Sequence, residues 1–213
     1  MDINEGEKHN ADFHIADILI EVFEVAINLI LYVRNIYPDG IFQRFQKYNI
    51  GVMMSTHPKV NEYIKDLLET IKPYISKGEV EKIVVQITNN NGDPVERFCF
   101  DMQISSSDSK QCYFDMETHL RALLLKLNTC EAMLKPLPKG IRYCSFQVLA
   151  YTKQSVLKNM EEKSDFQNFP WIVTENKCRS SPDDNIIIPI RSCATEVFVL
   201  QCYVEERQQK LDA

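Results

Sequence analysis

Between Ile15 and Ile30 the apolar side chains fall at Ile15, Ile18, Leu19, Val22, Phe23, Ala26, Ile27 and Ile30, the i, i+3, i+4, i+7 rhythm of one wide helix face. Such a face must be covered, so the chain has to supply at least one further layer. Pro38-Asp39-Gly40 ends the segment, because proline cannot continue a helix and glycine supplies turn geometry. Asp17, Glu21 and Glu24 interrupt the apolar run and leave only Val25 to Val33 free of charge, far short of the ~20 residues that cross a bilayer. The helix is therefore a core element, and no transmembrane segment is expected. With 213 residues, 45% of them hydrophobic, the chain can bury one substantial core, and a single domain is the expectation.

Beyond Gly40 a short extended stretch precedes Thr56-His57-Pro58, which offers a polar cap and a first-turn proline for a second helix. Val60, Ile64, Leu67, Leu68 and Ile71 form its apolar side, with Pro73 and Gly78 near its end. Ile83, Val85 and Ile87 then alternate with polar positions, Asn89 to Asp93 supplies turn residues, and Val95 to Met102 returns, so the pattern predicts a hairpin. Ser105 to Gln111 reads as a loop. Asp115 is placed to cap a third helix with Met116, Leu120, Leu123, Leu124, Leu127 and Leu134 inward, ended by Pro136 and Pro138. Tyr143 to Tyr151 predicts a buried strand, after which Thr152 to Gln167 is polar and weakly periodic. Two late strands, Ile186 to Ile190 and Val197 to Val204, follow the break at Ser180 to Asp184, so the tail can rearrange separately from the core. The fold class expected from this order is α+β.

The residues exclude several functions. Twenty-four Lys plus Arg against 30 Asp plus Glu give a net charge of -6, which provides no global attraction to a phosphate backbone, so direct nucleic-acid binding is disfavoured. The six glycines are isolated, without the clustering a phosphate loop needs. The seven cysteines are odd in number and scattered, the pattern of free thiols in a reducing compartment; the nearest pair, Cys193 and Cys202, has no histidine beside it, so no metal or other cofactor is expected. A Cys–His nucleophile would have to recruit His57 or His119, and core cysteine is the plainer reading. Asp183-Asp184 and Glu205-Glu206 are adjacent pairs whose side chains point apart, so they read as solvated charge rather than an acid–base pair. The first residues lack the basic start and apolar stretch of a secretory signal, so the cytosol or nucleus is expected.

The run EVFEVAINLILYVRNIYPDGIFQ from Glu21 to Gln43, with Lys47-Tyr48-Asn49, closely resembles the first helix and following turn of HORMA-domain proteins. Asn61 to Ile64 (NEYI), Asn168 to Ile172 (NFPWI) and Leu200 to Arg207 (LQCYVEER) are similar to the branch that serves the translesion DNA polymerase zeta as its accessory subunit. The resemblance spans Ile15 to Arg207. It implies an α+β HORMA domain, three long helices on a mainly antiparallel sheet, with a flexible N-terminus over 1–14, a core over 15–151, a mobile C-terminal safety belt over 152–207 and a flexible tail over 208–213. The implied activity is non-enzymatic: the belt locks a proline-containing segment of the polymerase zeta catalytic subunit across the domain.

By spacing alone Tyr63 is an ordinary core residue and Trp171 a belt anchor; the resemblance implies that both contact the captured segment. Ile187, Gln201 and Tyr203 match positions that hold the C-terminal domain of the deoxycytidyl-transferase translesion polymerase, where simple sheet packing is the alternative. Arg121, on an outward stripe that is otherwise a solvated helix face, matches a residue of a homodimer interface, together with Arg44 and Ala132. Asn35 stands at that interface where an acidic residue is the family's pattern, which weakens an ion pair there. The resemblance further implies a nuclear location, with cytoplasm and spindle as additional sites. Its other implied partners are double-strand-break end-protection proteins and a HORMA-remodelling AAA ATPase. The alternatives are a spindle-checkpoint HORMA protein that inhibits the activator of the anaphase-promoting complex and, from a different class, a cysteine-dependent enzyme.

Overall fold

The computed structural model describes residues 4–104, 112–137, 144–153, 171–172 and 185–207. Helix α1 (Asn4–Val33) begins well before Ile15, because a helix nucleated by its buried turns extends cheaply through residues such as Glu and Ala. From Val25 to Leu31 it is buried on every side, Val25, Leu29 and Leu31 as well as the predicted face, since it runs through the middle of the domain. Helices α2 (Pro58–Ser76) and α3 (Cys112–Asn128) pack against it, as does strand β2.

The stretch expected to be merely extended is a hairpin, β1 (Phe42–Lys47) and β2 (Ile50–Ser55), paired from Phe42–Ser55 to Lys47–Ile50. Its two-residue turn, Tyr48-Asn49, has φ of 49° and 55°, the left-handed geometry that closes tight hairpins. Asn28, buried in α1, pins the hairpin: its Oδ1 accepts the Ser55 N–H at 2.9 Å while its Nδ2 donates to the Glu24 carbonyl.

The main sheet has the order β5-β3-β4-β7-β6, with every neighbouring pair antiparallel: β3 (Val80–Asn89), β4 (Pro94–Ile104), β5 (Cys144–Thr152), β6 (Asn185–Ala194) and β7 (Phe198–Arg207). One face meets the helices; Phe100 of β4 meets Phe23 of α1 edge-on at 5.6 Å. Three helices and this sheet give the expected α+β architecture. Among the described residues no helix is long and apolar enough to cross a membrane.

Several local expectations are corrected. Thr56 does not cap α2; its hydroxyl donates to the Ile41 carbonyl, and the cap position, His57, makes no side-chain cap bond. Asp115 does not start α3, which already begins at Cys112. That helix stops at Asn128, before the prolines, where the Thr129 hydroxyl bonds back to the Leu125 carbonyl and a short 3-10 turn, Cys130–Met133, follows; Leu134 is buried all the same. The central strand β3 does not simply alternate, since Val84, Gln86 and Thr88 are also buried beneath the side chains of its neighbours. Ser105 to Gln111, Pro138, most of the polar stretch after Thr152, and Ser180 to Asp184 lie outside the described residues.

Candidate partner-binding surfaces

The two edges of the main sheet differ. The β6 edge carries Pro189, which has no N–H to offer, and its pairing with β7 shifts register between Pro189 and Arg191, both devices that blunt an edge. Strand β5 pairs only with β3 among the described residues, over Asn89–Cys144 to Val80–Thr152, and carries neither proline nor glycine. Its pairing with β3 also shifts register, between Val80 and Lys82, but the extra residue there lies on β3, so among the described residues the outer backbone groups of β5 form an unbroken row to which a further strand can bond.

Aromatic side chains gather beside that row. Tyr63 of α2 is half-buried and meets Phe146 of β5 edge-on, 5.7 Å between centroids, and Tyr37 meets the same ring from the loop after α1 at 6.3 Å. Burial, then the neighbouring Tyr37, raises the pKa of the Tyr63 hydroxyl, so it stays a neutral donor. Trp171 reaches α2 two turns further along, where its indole N–H donates to the Thr70 hydroxyl at 2.9 Å. Tyr63 and Thr70 share one stripe of α2, about 10 Å apart at 1.5 Å per residue. Tyr63 and the residue that anchors Trp171 are thus arrayed along one side of the helix. Asn168 to Pro170 fall outside the described residues, and Ile172 is exposed.

Ile187, Gln201 and Tyr203 come together on the opposite, outward face of the sheet. Ile187 is 63% exposed, pairs with Glu205 and stands diagonally from Tyr203, which precedes Glu205 by two along β7. The Tyr203 hydroxyl accepts a hydrogen bond from Lys82 Nζ at 2.7 Å and donates to Asp101 Oδ2 at 3.2 Å. Lys82 and Asp101 are themselves 3.0 Å apart. Burial pushes the Tyr203 hydroxyl up to about 12. Burial alone would lower the Lys82 ammonium, but its bonds to Tyr203 and Asp101 outweigh that and raise it, so the cation persists. Beside it Arg97 joins Glu205, at 3.1 Å, to the Tyr151 hydroxyl, at 2.6 Å. A groove of about 620 Å³ opens at this end of the sheet, with Lys82, Asp101, Tyr151 and Gln201 among its walls.

The four residues attributed to a homodimer interface are spread out. Arg121 donates to the Tyr48 carbonyl at 2.8 Å and to Glu117 at 2.9 Å, fastening α3 to the hairpin tip. Arg44 lies against Gly51 across the hairpin, closely enough that a Cβ there would collide with its guanidinium. Asn35, with φ of 52°, ends α1: its N–H reaches the Tyr32 carbonyl and that of Ile36 reaches the Leu31 carbonyl, a left-handed cap that suits asparagine. Ala132 is exposed in the turn after α3. Tyr48 reaches Glu21 of α1, so Arg121 and Asn35 are separated by about 20 Å of that helix.

One cluster was not foreseen. Arg34, Glu96 and Glu206 are all buried. Arg34 Nε donates to Glu96 Oε2 at 2.8 Å and its Nη2 to the Lys135 carbonyl at 2.7 Å. The Lys135 N–H donates to Glu206 Oε1 at 2.7 Å, and Glu96 and Glu206 are direct partners across β4 and β7. Glu96 Oε1 has no hydrogen-bond partner among the described residues. Burial outweighs Arg34 and, with Glu206 opposite, pushes Glu96 up to about 7. Cys99, Cys130, Cys144, Cys193 and Cys202 are free; all but Cys144 are buried, and burial pushes Cys99 up to about 12 and Cys130 to about 11.

Comparison with known proteins gives a consistent picture. Residues 16–161 match the family described as "HORMA domain". A zebrafish protein named mitotic spindle assembly checkpoint protein MAD2B is 44% identical over 99% of this chain and 96% of its own length. An Arabidopsis protein named DNA polymerase zeta processivity subunit is 31% identical over 88% of this chain and 83% of its own. A chain in a crystal structure of the mitotic checkpoint complex, 24% identical, superposes with a TM-score of 0.74 over 90% of this chain and 98% of the other. Three helices on this strand order, the matched segment and relatives of nearly equal length together make the chain a member of the HORMA-domain family.

Proposed function

We propose that the chain is a non-enzymatic adaptor. It captures an extended, proline-containing segment of a partner along the outer edge of β5, beneath the connection that leads from β5 to β6. The observation that carries this reading is the asymmetry of the sheet: among the described residues β5 pairs on one side only, and its edge is flanked by Tyr63 and Phe146. The chain leaves that edge at Lys153, passes α2 at Trp171 and returns as β6 at the far edge, about 19 Å away across five strands. A segment laid on β5 gains backbone hydrogen bonds, aromatic side chains select its apolar residues, and the crossing chain retains it. Proline in the segment stiffens it and lowers the entropy lost on binding.

The relatives' names support a choice of partner. The Arabidopsis protein carries the name of a polymerase zeta subunit, which supports the catalytic subunit of that polymerase as the captured partner, in translesion synthesis; a nuclear location is part of the same proposal. The outward face with Ile187, Gln201 and Tyr203 then serves the C-terminal domain of the deoxycytidyl-transferase polymerase, and the adaptor bridges the two. End-protection proteins of double-strand breaks are candidates for the same edge, and a remodelling AAA ATPase for opening it. The zebrafish relative's name keeps a spindle-checkpoint role as a second reading. A thiol enzyme is disfavoured because a nucleophilic cysteine needs a lowered pKa, and burial raises those of Cys99, Cys130 and Cys202.

Trp171 is the one tryptophan in the chain, so intrinsic fluorescence tests the reading. Titration with the proline-bearing peptide of the polymerase zeta catalytic subunit is expected to give a saturable spectral shift, with calorimetry measuring the same binding. Tyr63→Ala and Trp171→Ala each weaken it while the domain stays folded. Unchanged capture by both variants, or no binding to a folded, ligand-free protein, refutes the proposal.

A further inference from the structure

The outward sheet face holds a polar triangle that the three residues attributed to the second partner do not explain. Lys82 of β3 and Asp101 of β4 are register partners, and Asp101 is in turn the partner of Gln201. Tyr203 is not opposite either of them; its own register partner is Cys99. For its hydroxyl to reach both Lys82 and Asp101, the ring must lean along the strand by one pleat, towards Gln201, instead of standing out from the sheet. The Lys82 ammonium lies 5.3 Å from the centre of that ring. Lys82 is also 6.0 Å from the Tyr151 ring, so it is held between two tyrosines of different strands.

A half-exposed tyrosine with a free hydroxyl samples several rotamers, and ordering it on binding costs free energy. A hydroxyl that accepts from an ammonium and donates to a carboxylate has both its functions filled by charged groups, the stronger kind of hydrogen bond. We propose that Lys82 and Asp101 are positioning residues for the second partner surface. They lay the Tyr203 ring down over β4 as a preformed platform beside Gln201, which leaves the exposed Ile187 uncovered on the β6 side. The partner chemistry this fits is a compact folded domain that lays apolar surface over the flat ring and, across β7, over Ile187, without competing for the hydroxyl. The inference rests on the reading of this face given above.

The test uses the full chain and the C-terminal domain of the deoxycytidyl-transferase polymerase, with affinities from calorimetry. Lys82→Met removes the bond from the ammonium to the hydroxyl, and Tyr203→Phe removes that bond together with the one to Asp101, so each is expected to weaken binding about tenfold or more. The double variant should be no weaker than Tyr203→Phe alone, because that change already removes the contact that Lys82→Met breaks. Lys82→Arg should recover most of the loss, and capture of the proline-bearing peptide at β5 should be unchanged throughout, which also shows that each variant is folded. Additive losses in the double variant, or full binding by Lys82→Met while Tyr203→Ala is impaired, overturn the positioning role and leave the surface reading standing. Full binding by both Ile187→Ala and Tyr203→Ala overturns the surface reading itself, and the inference with it.

Discussion

Replacing Glu96 by Gln isolates the energetic cost of a carboxylate held inside the domain. Glu96 is 2% exposed and faces Glu206 across the β4–β7 pairing; Arg34 contacts its Oε2, while Oε1 is unpaired among the described residues. Its folded pKa stands at about 7 against an ordinary 4.5. The native state therefore binds more protons than the unfolded chain between these values, so this contribution to stability is full below pH 4.5 and is lost as pH rises through about 7. At 1.36 kcal/mol per unit, the swing is ~3 kcal/mol. Glutamine keeps the shape and cannot ionise, so Glu96→Gln should lack the swing. Urea unfolding of both proteins from pH 4.5 to pH 8 should show the wild type losing ~3 kcal/mol relative to the variant. Parallel pH profiles for the two proteins would refute the argument, and an opposite divergence would show that Arg34 dominates.

Phe100, fully buried against Phe23, should cost about 3 to 5 kcal/mol on truncation to Ala, read as a fall in the urea midpoint. Arg121→Ala removes the bond to the Tyr48 carbonyl, so it should lose about 1 kcal/mol of stability and, on the dimer reading, sediment as a lighter species than the wild type at equal concentration. An unchanged sedimentation profile removes Arg121 from any self-association. Cys99, Cys130 and Cys202 should react slowly with a thiol reagent in the native protein at pH 7 and much faster in urea; one fast cysteine among them would revive a nucleophilic role.

The parts of the fold that follow a local rule were legible in the sequence. The apolar spacing from Ile15 predicted the central helix, and Asn89 to Asp93 between two β-rich runs predicted the β3–β4 hairpin. The β1–β2 hairpin was not legible, because its turn places Tyr48 at positive φ where a glycine would have announced it. Capping by Thr56 failed because tertiary structure offered that hydroxyl the Ile41 carbonyl instead. Sequence spacing put Tyr203 on a strand, but only the pairing of β4 with β7 brings it to Lys82 and Asp101, far away along the chain. The same holds for Arg34, Glu96 and Glu206: each reads as an ordinary surface charge until three separate elements bury it. Asn35, matched to an interface, also has a local task as the left-handed end of α1.

The difference between the two sheet edges sets the valency of the molecule. If both edges were open, one copy could add to the next by the same backbone bonds that would hold a guest strand, and the series would have no natural end. Pro189 and the adjacent register shift blunt one side, so on the proposed reading strand addition among the described strands is left to β5. If the proposed capture holds, each copy is a stopper as well as a socket: it consumes one extended segment and offers no fresh edge behind it. Concentrating many copies along a partner with several such segments would produce beads on a string rather than a growing fibre.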